Sequence, residues 1–196
     1  SNLGDAALYC DFGTEVNKET NSKVIKYFRS VKKKEIQGII NLTPSYNKLI
    51  ISFDLKKTHF KEIKKKIENL DVNDSISEFP KKIEIPICCT DDFSLDIKRL
   101  EEKLSLKREK IYENFFNKEY FCYMTGFIAG MPFLGDLDKK MRAKRLETPR
   151  VKVPKGSVGI TEQFADIYTF ESPGGWNIIG NTPLEVFDST KEIKPN

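Results

Sequence analysis

The stretch Glu171-Ser172-Pro173-Gly174-Gly175-Trp176 constrains this chain more tightly than any other. Glycine admits backbone angles that side chains forbid, and it lets another group approach closely. The chain's only tryptophan follows at once and supplies a broad apolar wall with one polar handle. One reading is a tight turn held against an aromatic wall beside a binding surface. The other is a plain hairpin turn with a core tryptophan. Two upstream segments weigh for the first. Gly126 to Asp138 carries three glycines and a proline inside an apolar run, and a second segment runs from Thr148-Pro149-Arg150 to Ile160.

The N-terminal half reads by periodicity. Ala6 to Phe12 is a strand ended at Gly13, followed by a helix from Asn21 to Lys34. Val24, Tyr27, Phe28 and Val31 share one face of that helix, and Asn21 or Ser22 is its expected cap. Ile36 to Leu42 and Leu49 to Phe53 are strands around a turn at Pro44. Thr58 is the expected cap of a second helix with a Phe60, Ile63, Ile67, Leu70 stripe. Lys82 to Ile87 alternates as a last strand. The order is βαββαβ, the ferredoxin-like pattern, and it is assigned to residues 1–85 of an α+β protein.

Residues 86–196 are assigned to a second domain with two leading helices, Ser94 to Leu104 and one capped by Ser105 and running to Phe116. Short strands follow at Tyr120–Phe127, Ser157–Ile160, Ile167–Phe170, Trp176–Ile179 and Leu184–Phe187. Short strands with frequent turn signals predict a barrel or a sandwich.

Composition removes several function classes. No apolar run reaches the ~18 residues of a membrane helix, and no basic start leads into an apolar stretch, so neither a membrane span nor a signal peptide is expected. The net charge is only +4, and the lysine runs at Lys32–Lys34 and Lys64–Lys66 fall in expected helices without interleaved aromatics, which argues against nucleic acid. Cys10, Cys88, Cys89 and Cys122 form no CxxC pair and no zinc spacing, so reduced cysteines in a cytoplasmic protein and no metal are expected. His59 is the only histidine and lies at the start of an expected surface helix, far in sequence from the glycine-rich motifs. Asp136 and Asp138 read as turn caps before metal ligands. No phosphate loop or dinucleotide fingerprint is present.

Arg150 offers a planar, permanently charged fork suited to carboxylates and phosphates, on an approach stiffened by Pro149. Glu171 offers a proton acceptor or a partner for an arginine. For both, a surface salt bridge is an equal reading.

Taken in order, GF-x-x-G-x-P-x-LG-x-LD from Gly126, TPR-x-x-VP-x-GSV-x-I from Thr148 and Y-x-x-ESPGGW-x-x-IG-x-TP-L from Tyr168 resemble the KipI / allophanate hydrolase subunit 1 family. That family includes the PxpB-type proteins of bacterial 5-oxoprolinase. The resemblance implies a cyclophilin-like β-barrel for the second domain. It also implies a subunit, inactive alone, of an ATP-dependent hydrolase that opens the pyroglutamate lactam to glutamate. Its implied partners are a subunit 2 (PxpC-type) protein and a PxpA-type protein, with ATP used by the assembled complex. The family also allows an inhibitor of a sensor histidine kinase, or an allophanate hydrolase or urea carboxylase-type subunit. A prolyl isomerase is suggested by the barrel type only.

The implied substrate or partner site comes from the three blocks. The first gives Gly126, Phe127 and Pro132; the second Thr148, Pro149 and Arg150; the third Glu171, Ser172, Pro173, Gly174, Gly175 and Trp176. Arg150 or Glu171 is the expected polar anchor, and no catalytic residue is assigned. The chain departs from the family where Phe115 stands near a usual histidine, at Ala129 and Met131, and in a last strand that the resemblance places beyond Asn196.

Overall fold

The computed structural model describes residues 1–72 and 82–191. They belong to two units, Ser1–Lys81 and Lys82–Asn196, taken separately below. Among the described residues, no helix is long and apolar enough to cross a membrane.

In the first unit the order is β1 (Ala7–Asp11), α1 (Lys18–Lys34), β2 (Ile39–Pro44), β3 (Lys48–Phe53) and α2 (Phe60–Glu68). The three strands pair antiparallel in the order β1-β3-β2. Val24 and Val31 of α1 and Ile63 and Ile67 of α2 pack with Leu49, Ile51 and Phe53 of β3, so both expected helical stripes are the buried faces. The caps differ from expectation. Asn17, not Asn21, opens α1, because its Oδ1 accepts the Thr20 N–H at 2.8 Å. Asn21 turns inward and donates to the carbonyls of Ser45 and Tyr46 at 3.3 and 2.9 Å. Thr58 does not cap α2; its hydroxyl donates to Glu62 at 2.9 Å, and His59 holds the cap position.

The expected sixth element is not a strand of this sheet. Residues 82–87 form no ladder, and the residues leading into them, 73–81, lie outside the described residues. Ile85 and Ile87 pack instead against the core of the second unit, where Cys88 bridges Asn181. The alternation read from the sequence was a packing pattern, but of the other unit's core.

The second unit opens with α3 (Ile97–Leu104) and α4 (Arg108–Phe116). The helix expected from Ser94 begins later because the preceding residues are used elsewhere. The Ser94 hydroxyl donates to the Ile179 carbonyl at 3.0 Å, and the Asp96 N–H donates to that of Ile178 at 3.0 Å. Ser105 does not open α4; it closes α3 in a left-handed conformation with φ 53°.

Next come β4 (Phe121–Thr125), β5 (Pro132–Gly135), a 3-10 turn at Lys139–Met141, β6 (Arg150–Val153), β7 (Ser157–Thr161), β8 (Phe164–Ile167), β9 (Ser172–Gly174) and β10 (Asn177–Asn181). Five of these form an antiparallel sheet in the order β10-β7-β8-β5-β4, and β6 pairs with β9 alone. The described strands therefore make two sheets and no closed barrel. Pro173 in β9 has no N–H to extend a ladder, and Pro149 and Pro154 bracket β6. Leu184–Phe187 is not a strand; it follows Pro183, and the Phe187 ring packs edge-on to Phe170 at 5.9 Å.

Candidate functional site

Strand β8 gives its alternate residues to two environments. Ala165 and Ile167 join Val158, Ile160 and Ile179 in a core closed by Ile97, Leu100, Ile111 and Phe115 of the helices. Asp166 lies between them in sequence and so on the opposite side of the strand, as does Tyr168, which packs with Met131, Val153, Ile178 and Phe133. Trp176 stands edge-on to Phe133, ring centroids 5.6 Å apart.

Asp166 is fully buried. Its Oδ1 accepts the Gly159 N–H at 3.1 Å, and its Oδ2 has no hydrogen-bond partner among the described residues. Only glycine fits at 159: a Cβ there would lie 2.5 Å from Asp166 Oδ1 and 3.0 Å from Trp176 Cβ. Burial pushes the Asp166 carboxyl well above the usual carboxylate range, and the Gly159 hydrogen bond opposes this only in part. A carboxyl held this way favours its protonated form, which can donate as well as accept.

The motif turn lies over Tyr168. A Cβ on Gly174 would stand 2.1 Å from the Tyr168 hydroxyl, so the close approach requires glycine. Burial raises the phenol's pKa, as does the nearby Asp166; the Trp176 backbone, Arg145 and Arg150 act in the opposite sense. The next residue, Gly175, accepts the Leu146 N–H at 2.7 Å.

Arg150 opens β6 opposite Gly174. Its Nη1 and Nη2 donate to Asp96 Oδ2 and Oδ1 at 2.9 and 2.7 Å, two parallel bonds of the fork type. The Ile178 N–H of β10 donates to the same Asp96 Oδ2 at 2.7 Å. The Asp96 side chain is 5% exposed and that of Arg150 28%. Arg150 thus ties the β6–β9 sheet to the edge of β10 through one buried carboxylate.

The other expected residues divide. Arg150, Gly174, Gly175 and Trp176 come together with Pro149, whose Cγ would be 3.5 Å from a Gly175 Cβ. Glu171 is exposed and pairs with Lys152 at 3.1 Å, a surface contact of small energetic weight. Thr148 and Pro173 are exposed and Ser172 is half-buried. Gly126 and Phe127 lie in the turn between β4 and β5, closed by the Gly126 N–H to the Met131 carbonyl at 3.1 Å, with Pro132 buried at the start of β5. Phe127 is held at φ 67° and is 71% exposed. The Thr169 hydroxyl donates to the Ala129 carbonyl at 2.6 Å, tying this turn to the residues after β8.

Three residues of the site were not singled out from the sequence, Asp96, Arg145 and Asp166, and Tyr168 entered only as the first residue of the third motif block. An acid between Ala165 and Ile167 was a usable signal for Asp166, because a lone carboxylate is out of place in an apolar strand. Arg145 was hidden in a basic run from Lys139. The remaining candidates have local roles. The Tyr123 hydroxyl donates to Asp136 at 2.9 Å, and Asp138 accepts the Lys140 N–H at 2.9 Å at the 3-10 turn. No group of acids, cysteines and histidine suited to a metal occurs among the described residues.

Residues 1–195 match the family model for the carboxyltransferase domain, subdomains C and D. The chain is 30% identical over 197 residues to the 5-oxoprolinase B subunit of Bacillus subtilis (strain 168), covering 94% of this chain and 82% of that protein. It is also 30% identical over 190 residues to the 5-oxoprolinase B subunit of Haemophilus influenzae (strain ATCC 51907 / DSM 11121 / KW20 / Rd), covering 96% and 88%. In backbone it is similar to the solved protein TTHA0988, with a TM-score of 0.84 at 24% identity over 96% of this chain. The chain spans 37% of that solved chain, and this likeness speaks to fold alone.

Proposed function

This chain belongs to the carboxyltransferase subdomain C and D family shared with the 5-oxoprolinase B subunits, and from that premise we propose that it is the PxpB-type component of an ATP-dependent 5-oxoprolinase. The observation that carries the reading is identity of 30% sustained over most of both chains for two separate relatives. The reaction opens the lactam of 5-oxoproline to glutamate. The chain acts in the cytoplasm, inactive alone, with a subunit 2 (PxpC-type) protein and a PxpA-type protein. Its first unit is read as a variant of the ferredoxin-like pattern and its second as related to the cyclophilin-like barrel, with the two as separate domains.

The substrate or partner surface is formed by the three motif blocks, centred on Gly174, Gly175 and Trp176 and flanked by Thr148 and Pro149. Glu171, Ser172 and Pro173 lead into it, and Gly126, Phe127 and Pro132 form its far side. Arg150 acts as a positioning residue, since its fork is taken by Asp96 and the pair holds β6 against β10. ATP supplies the driving force for opening an unstrained amide. The sequence carries no phosphate-loop motif, so ATP is assigned to the assembled complex, with its partners supplying much of the nucleotide site.

The test is 5-oxoproline-dependent phosphate release from ATP, comparing this chain alone with the chain co-expressed with its genomic subunit 2 and PxpA-type neighbours. Release only from the full mixture is expected. A stable co-purified complex without release would sink the reading and bring the histidine-kinase inhibitor forward.

A further inference from the structure

Two arginines flank the Gly174–Gly175 turn, and they differ in one respect. The Arg150 fork is saturated by the buried Asp96 carboxylate. Arg145 is exposed and makes no hydrogen bond or ion pair among the described residues. It is nevertheless held in place. Its Nε and Nη2 would both lie 3.5 Å from a Cβ on Gly175, so the guanidinium lies against that glycine's open face. The neighbouring Leu146 N–H donates to the Gly175 carbonyl at 2.7 Å and fixes the stem.

A planar fork in contact with the motif turn, with every donor available, is suited to bidentate recognition of a carboxylate. The one acid of this motif stretch, Glu171, pairs with Lys152 and not with Arg145. We infer that Arg145 is the carboxylate anchor of this site and selects a substrate bearing a free carboxylate beside the bond to be opened. The inference rests on the reading of the chain as a 5-oxoprolinase component, because 5-oxoproline carries such a carboxylate next to its lactam nitrogen. Arg150 holds the turn, and Arg145 reads the ligand.

The experiment uses the assembled complex with its genomic neighbours and compares Arg145→Ala, Arg145→Lys and Gly175→Ala with the parent. A hydrogen-bonded charge contact is worth about 1.5–3 kcal/mol, so Arg145→Ala is expected to raise KM for 5-oxoproline roughly 10- to 100-fold with little change in kcat. Arg145→Lys keeps the charge but loses the fork and falls between. Gly175→Ala places a methyl group against the guanidinium and raises KM less than either. With 2-pyrrolidinone, the same lactam without a carboxylate, parent and Arg145→Ala are expected to be equally poor. An unchanged KM in an active parent complex overturns the inference and leaves the function standing. Failure of Arg145→Ala to co-elute with its partners also overturns it, by giving Arg145 to the contact with those partners. A parent complex that never releases phosphate fails earlier, at the function itself.

Discussion

The two sides of strand β8 are one residue apart in sequence and serve opposite ends. On one side Ala165 and Ile167 sit in an apolar core sealed by α3 and α4. On the other, Asp166 and Tyr168 lie under a glycine turn and a tryptophan, with a carboxyl oxygen that has no partner among the described residues. An apolar layer tolerates no unsatisfied polar atom without cost, so an orphan oxygen confined to one side marks where the chain accepts instability. Odd and even positions along this short segment thus separate a purely apolar core from a buried layer that carries polar groups beneath the motif turn.

Four substitutions break or sharpen that contrast, taken from the largest expected effect to the smallest. Asp96→Ala leaves the Arg150 fork and the Ile178 N–H without their shared acceptor, and breaking a buried pair costs about 4 kcal/mol. Urea unfolding reads this directly; a loss near ~0.5 kcal/mol would reduce the pair to a surface bridge. Ile160→Ala, on the helix-covered side, empties a fully buried position for about 3 kcal/mol. It is expected to leave KM for 5-oxoproline unchanged in the assembled complex, and a changed KM would show that the sides are not separable.

Gly174→Ala forces a methyl group into the Tyr168 hydroxyl and should cost about 2 kcal/mol by thermal unfolding. Unlike Ile160→Ala, it is expected to disturb substrate binding as well. Asp166→Asn has the opposite sign. The folded-state pKa of Asp166 lies above the unfolded value, so the folded form holds the proton longer. Stability is therefore full below the unfolded pKa and is lost as pH rises towards the folded one. The asparagine variant should unfold at a higher temperature than the parent at about pH 8, with the gap narrowing towards about pH 4. A gap that widens on acidification would mean that Asp166 is ionised in the fold.

How much of this was legible depended on the distance between partners. The stripes Val24–Tyr27–Phe28–Val31 and Phe60–Ile63–Ile67–Leu70 are local, and both pack into the first unit's core. The start of α1 was misplaced because Asn17 and Asn21 are both good caps, and only the carbonyls of Ser45 and Tyr46, far along the chain, decide between them. In the second unit β5, β6 and β9 have four residues or fewer and contain or adjoin proline, so no period could show. Their existence is set by the strands they meet. The three motif blocks were visible, but not what they rest on. Asp96 lies 54 residues from Arg150, and nothing near either residue announces the other.

The Asp96 clasp has a consequence for motion. Two fork bonds and the Ile178 amide converge on one nearly buried carboxylate, so the β6–β9 sheet cannot lift from β10 without breaking either the Arg150 fork or the Ile178 bond. The glycine turn is then a fixed wall and not a lid, and ligand entry needs only the faster motion of side chains around it and not backbone opening. The Ile178 amide hydrogen becomes the reporter. Its exchange with deuterated water should be among the slowest in the second unit and should follow global unfolding, whether or not ligand is present.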